Sequence, residues 1–131
     1  MGPLHGYRVV ELGIWVAGPA AASMLADWGA DVIKVESPAG DPNRDVLRHI
    51  GVDLASSPAF ALDNRGKRGV VLDLKTPDGL RALGKLLDGA DVFVTNLRPA
   101  AARSGPPLAS GSTPPRCLVA KAARPAPDDR K

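Results

Sequence analysis

The sequence predicts an α/β fold built on a parallel sheet, and three observations carry that expectation. Short runs rich in β-branched residues recur at 7–12, 31–36, 69–74 and 91–96. Within each half, a segment with helical start and stop signals separates the two runs. The order strand, helix, strand therefore occurs twice, joined by a long connection. An apolar strand, a short helix and a second apolar strand call for a parallel sheet with a right-handed crossover.

Tyr7 to Leu12, flanked by Gly6 and Gly13, forms the first predicted strand. Gly18-Pro19 opens a segment with no internal breaker up to Trp28, and Gly29 stands where a helix C-terminal glycine belongs. Asp31 to Glu36, DVIKVE, returns as the second strand. Residues 37–60 are a connection rich in Pro, Gly, Asp and Ser, with one or two helical turns expected in DVLRHI. Connections longer than about 12–15 residues are usually functional or packed on another part of the protein. Arg65, Lys67 and Arg68 form a cationic cluster, read equally as a solvated charge run or a phosphate contact. After the third strand, Thr76 is a good N-cap, Pro77 suits the first helical position and Asp78 adds charge in the first turn. Leu80, Leu83, Leu86 and Leu87 then mark one apolar face at spacings of three and four. Asp88-Gly89 ends that helix, and 91–96 is the fourth strand.

Charge divides the chain of 131 residues into unlike parts. Residues 1–99 hold 11 Lys/Arg against 12 Asp/Glu, whereas residues 100–131 hold 6 against 2. The formal net charge of +3 thus comes from the last quarter, which argues against a nucleic-acid-binding face on the folded part. That last quarter also carries six of the 13 prolines and shows no helical or strand period, so disorder is expected there. Cys117 is the only cysteine, which excludes an intramolecular disulfide. In that setting it is read as incidental rather than catalytic.

No apolar run reaches the ~18–20 residues of a membrane helix. MGPLHGYR lacks a basic region followed by an apolar stretch, so a cytoplasmic protein without a secretory signal is expected. His5 and His49 are isolated, with no Cys or second His at ligand spacing, and no metal site is expected. Trp28, near a helix end, reads as packing.

The first turn admits a dinucleotide reading, with Glu36 placed eighteen residues after Gly18 to bond a ribose hydroxyl. The glycine pattern opposes it. Gly13 and Gly18 stand alone, five apart, where a pyrophosphate loop needs three closely spaced glycines, and Pro19 removes an N–H donor from the helix start. A P-loop is excluded, because no Gly-Lys-Ser/Thr follows.

Four blocks carry a resemblance: GPLHGYRVVEL, AGPAAASMLADWGADVIKVE, LDNRGKRGVVLDLKTPDG and ADVFVTNLRP. In this order and spacing they resemble the N-terminal portion of the family III CoA-transferases, the group of formyl-CoA and carnitine CoA-transferases and α-methylacyl-CoA racemase. The resemblance spans roughly residues 2–99. It implies a Rossmann-like domain with CoA lying across its edge. Trp15, Val16 and Ala17 would line the thiol arm and acyl pocket. Leu72, Asp73, Leu74 and Lys75 would flank the adenosine, with Lys75 near phosphate. Asn96, Leu97 and Arg98 would sit at the carboxyl end of their strand. The family often has an arginine stacked on adenine where this chain has Ser37, so one contact is missing; Arg103 is near the place of another expected arginine.

The resemblance further implies acyl-CoA and carboxylic acid substrates, no permanently bound cofactor, and no nucleic-acid or membrane partner. The family's Asp nucleophile, or the His and Asp of its racemases, lies downstream of every matched block, so no catalytic residue is assigned. Asp128 and Asp129 fall outside the match. The expectation is therefore a two-part chain. Residues 1–102 form the N-terminal part of a family III domain, and residues 103–131 are a Pro/Ala/Ser-rich tail, disordered or read from a shifted frame. Full-length members form interlocked homodimers, and this chain alone is expected to be inactive and unlinked. Three alternatives stay open: a racemase fragment, a stand-alone CoA- or nucleotide-binding module, and an NAD-binding regulator.

Overall fold

The computed structural model describes residues 2–52, 54, 56–97 and 116–119. Five parallel strands form one sheet: β1 (Arg8–Leu12), β2 (Asp31–Glu36), β3 (Arg68–Val71), β4 (Val92–Thr95) and β5 (Arg116–Val119). Their spatial order is β3-β2-β1-β4-β5. The chain moves outward from β1 through β2 to β3, then crosses back to place β4 on the other side of β1. β1 is thus the strand at which the direction of winding reverses.

The helices follow from that path. α1 (Ala17–Asp27) covers the sheet face bearing Val9, Val32 and Val94, with Ala22 and Ala30 completing a buried cluster. α3 (Pro77–Asp88) covers the opposite face, where Leu83 and Leu87 pack on Val10 and Val35. Adjacent Val9 and Val10 enter opposite clusters because successive strand side chains point to opposite faces. Burial on both faces explains the valines and isoleucine of β1 and β2, which point to either side of the sheet. Each fully buried valine contributes about 1.5–3 kcal/mol relative to exposure.

Local chemistry sets the element ends. α1 buries Gly18, Pro19, Ala22 and Ser23, small residues that let the helix approach the sheet. It closes at Trp28, after which Gly29 has φ +98°, a conformation that glycine adopts without strain. The expected cap of α3 is present, with Gly79 N–H donating to Thr76 Oγ1 at 3.1 Å.

Three features differ from the sequence expectation. The third strand ends at Val71 rather than residue 74, because the chain turns at Asp73, whose carbonyl accepts from Thr76 N–H at 3.1 Å. The connection 37–60 holds a helical turn at Arg48–Ile50, as expected for DVLRHI, but also an unexpected 3-10 turn at Pro42–Arg44 and the start of α2 (Pro58–Asp63), which packs beside α1. It is the crossover that two adjacent parallel strands require. Finally, Arg116–Val119, within the tail expected to lack any element, pairs with β4 as the fifth strand. The rest of that tail lies outside the described residues.

Candidate functional site

At the carboxyl ends of β1, β2 and β3 the chain leaves a cleft of about 460 Å³. Its walls come from Leu12–Ile14 after β1, Ser37–Asp41 after β2, Asp73–Lys75 after β3, and Leu97 after β4. Open α/β sheets bind ligands at this edge, near the point where winding reverses. Leucine and isoleucine side chains supply apolar surface. The cation is Lys75.

The charge of Lys75 is uncommitted. Within residues 2–97, every described arginine forms an ion pair: Arg8 and Arg68 with Asp31, Arg44 with Glu36, Arg48 with Asp45, Arg65 with Asp27 and Arg81 with Asp78. Lys34 and Lys67 are bound to buried carboxylates. Lys75 has no carboxylate partner among the described residues, and its exposed side chain borders the cleft. Its own N–H donates to Asp73 Oδ1 at 3.0 Å, which turns the chain sharply before α3.

Beneath the cleft lies a buried network of charges. Glu11 and Lys34 stand directly opposite on β1 and β2, joined at 2.9 Å between Lys34 Nζ and Glu11 Oε1. Lys34 Nζ also donates to Gly13 O at 3.1 Å and to Asp41 Oδ2 at 3.0 Å. Lys67 Nζ reaches Glu11 Oε2 at 2.7 Å and the carbonyls of Pro19 and Asp63 at 2.8 Å each. Burial lowers the Lys67 ammonium from its ordinary value, and the Glu11 hydrogen bond opposes the shift.

The turn after β1 is held at each peptide. Asn96 accepts from Ile14 N–H at 3.0 Å through Oδ1 and donates to Ile14 O at 2.7 Å through Nδ2. The wall after β2 is tied as firmly. Glu36 Oε2 accepts from Asp41 N–H at 3.0 Å and from Arg44 Nε at 2.8 Å, and Oε1 accepts from Arg44 Nη2 at 2.7 Å. The Arg44 guanidinium in turn lies 3.7 Å from the Phe60 ring centroid. The Arg44 hydrogen bond holds the Glu36 carboxyl below its ordinary value, against the opposing effect of burial.

Residues 4–105 match CoA-transferase family III. The chain belongs to this family. It is 44% identical over 101 residues to (R)-2-hydroxy-4-methylpentanoate CoA-transferase of Clostridioides difficile, covering 72% of this chain and 24% of that protein. It is 45% identical over 101 residues to succinate–glutarate CoA-transferase of Agrobacterium fabrum, covering 73% and 25%. Among solved structures, a CAIB/BAIF family protein from Brucella suis is similar with a TM-score of 0.69 and 39% identity, over 78% of this chain and 28% of that one. The chain spans about a quarter of the length of the curated relatives it matches.

Against this family III framework, the residues singled out from sequence separate into three groups. Asp73, Leu74, Lys75 and Leu97 border the cleft, and Leu72 flanks it, its N–H donating to Glu36 O at 2.9 Å. Trp15 and Val16 are exposed beside the turn, and Ala17 is the first residue of α1 rather than part of the turn. Asn96 is engaged with Ile14, and Arg98 lies outside the described residues. The cluster Arg65, Lys67 and Arg68 divides: Lys67 is buried against Glu11, whereas Arg65 and Arg68 stay exposed and pair with Asp27 and Asp31.

Sequence reasoning missed Glu11, Lys34, Asp41 and Asn43. A signal existed for the first two: opposite charges stand inside the strand runs VVEL and VIKVE, and strands buried on both faces require such charges to be paired.

Proposed function

We propose that the cleft binds the adenosine and phosphate end of a CoA thioester, and that the full-length protein transfers CoA between an acyl-CoA and a carboxylic acid. The observation that carries this reading is the unpaired ammonium of Lys75 at the rim of an apolar-walled cleft on the carboxyl edge of the sheet. A flat base needs apolar walls, and several phosphate charges need a cation not already neutralised. The relatives named above are CoA-transferases, which favours CoA transfer over movement of an α-proton. Their names place a branched hydroxy acid and dicarboxylic acids among the substrates of those proteins, so a carboxylic acid acceptor is the class proposed here.

The dinucleotide alternative loses its key contact, since both oxygens of Glu36 are occupied by Arg44 and the Asp41 N–H. The acyl-carrying carboxylate of the transfer reaction is proposed to come from outside residues 4–105. Calorimetric titration with CoA and with NADH tests the reading. CoA should bind, NADH should bind more weakly, and Lys75→Ala should reduce CoA affinity about tenfold, the size of one charge-assisted phosphate contact. The chain alone should show no acyl-CoA:carboxylate transfer. Equal CoA affinity in Lys75→Ala would remove the phosphate role of this residue, and tighter binding of NADH than of CoA would reject the assignment.

A further inference from the structure

Trp15 is the one non-glycine residue with positive φ, +64°, among the described residues. A left-handed backbone is strained for an L-residue with a large side chain, and it persists where the surroundings over-determine it. Asp41 is where that constraint converges. Trp15 N–H donates to Asp41 Oδ1 at 3.1 Å, and the Asn43 N–H donates to the same oxygen at 3.0 Å. Asn43 Nδ2 returns to Trp15 O at 3.3 Å, so the peptide groups on both sides of Trp15 are held. Asp41 Oδ2 accepts from Lys34 Nζ at 3.0 Å, and the same ammonium holds Gly13 O at 3.1 Å. Asp41 is 2% exposed and borders the cleft, and its own N–H is anchored on Glu36. One carboxylate therefore joins the wall after β2 to the turn after β1.

We propose that Asp41 is a positioning residue for the cleft: its carboxylate holds Trp15 in the left-handed conformation and thereby sets the wall formed by Gly13 and Ile14. For its ligand this inference rests on the CoA reading above; for its geometry it does not. A carboxylate is suited to the task because it accepts on two sides at once. Oδ1 takes two peptide N–H groups while Oδ2 meets an ammonium. The amide of asparagine keeps the peptide side of this arrangement and gives up the charge.

The test uses the whole chain with Trp28→Phe, which leaves Trp15 as the only tryptophan. Two quantities are read: fluorescence anisotropy of Trp15 without ligand, and CoA affinity by calorimetry. Asp41→Ala should lower the anisotropy and weaken CoA binding about tenfold, while Asp41→Asn should keep affinity within roughly threefold. Asn43→Ala frees the Trp15 carbonyl and leaves the Lys34–Asp41 pair intact, so it should lower the anisotropy with the fold preserved. Unchanged anisotropy in Asp41→Ala, or in Asn43→Ala where the first variant does not fold, would overturn the proposal. If anisotropy falls as expected and the parent binds no CoA, the positioning role stands and the CoA assignment fails.

Discussion

At the scale of single residues, the buried charges under the cleft dominate. Glu11 is fully buried, and its two oxygens are each held by a different lysine. Taking one lysine away leaves a carboxylate without solvent and with half its compensation. Lys67→Met is expected to destabilise the chain by about 3–5 kcal/mol, as for other broken buried pairs. Domains are stable by only about 5–15 kcal/mol, so the loss is a large fraction of the total and the urea midpoint of this variant should fall steeply. A loss below about 1 kcal/mol would mean that Lys67 behaves like an exposed pair. Glu11 and Lys34 were legible in principle from charges inside apolar strands. Lys67 was not, because its partner lies 56 positions away and only the β3 register brings the two together.

Among the elements, α3 was the most legible. Its cap, its proline at the first position and its leucine spacing are all local signals, and the helix runs where they place it. α2 carries a similar start, Ser57 capping Phe60 N–H before Pro58, yet six residues are too few to show a period. One glycine of α3 is dictated by contacts that no local signal reveals. A Cβ on Gly79 would lie 2.0 Å from Asp73 O, on the turn that presents Lys75, whereas a Cβ on Gly84 would meet nothing within 4 Å. Helix propensity alone favours alanine at both by about 1 kcal/mol. Gly84→Ala should therefore stabilise by ~0.5–1 kcal/mol, and Gly79→Ala should destabilise by ~1–3 kcal/mol as overpacking overrides propensity. Denaturant midpoints of the two variants give the comparison directly. Stabilisation by both would show that the turn can move away from the helix.

For the whole molecule, pairing of carboxylates with arginines across elements sets the response to acid. Hydrogen bonding to Arg44 lowers Glu36 from its ordinary 4.5, and hydrogen bonding to Arg68 lowers Asp31 from 3.8. Because the folded chain holds these protons less tightly than the unfolded one, stability rises with pH across this range. The contribution is full above pH 4.5 and is lost as pH falls through the depressed folded values. The melting temperature should be flat between about pH 7 and 5 and fall below that, and Arg44→Gln should flatten part of the fall. A melting curve that rises toward pH 3 would contradict the sign. No helix among the described residues is long and apolar enough to cross a membrane.

What the sequence determined by itself was local: four strands, two helices, their order, and through four blocks of residues the family. Periodicity, caps and breakers act over a few residues, so they can be read in order along a chain. Strand order, the fifth strand and the internal wiring of the cleft were decided only in three dimensions. Asn96 meets Ile14 across 82 positions, Asp41 meets Trp15 across 26, and Lys67 leaves its cationic cluster to support Glu11 of β1. Hydrogen bonds to buried charges depend on which strands become neighbours, and that is set by packing of both sheet faces rather than by any one segment.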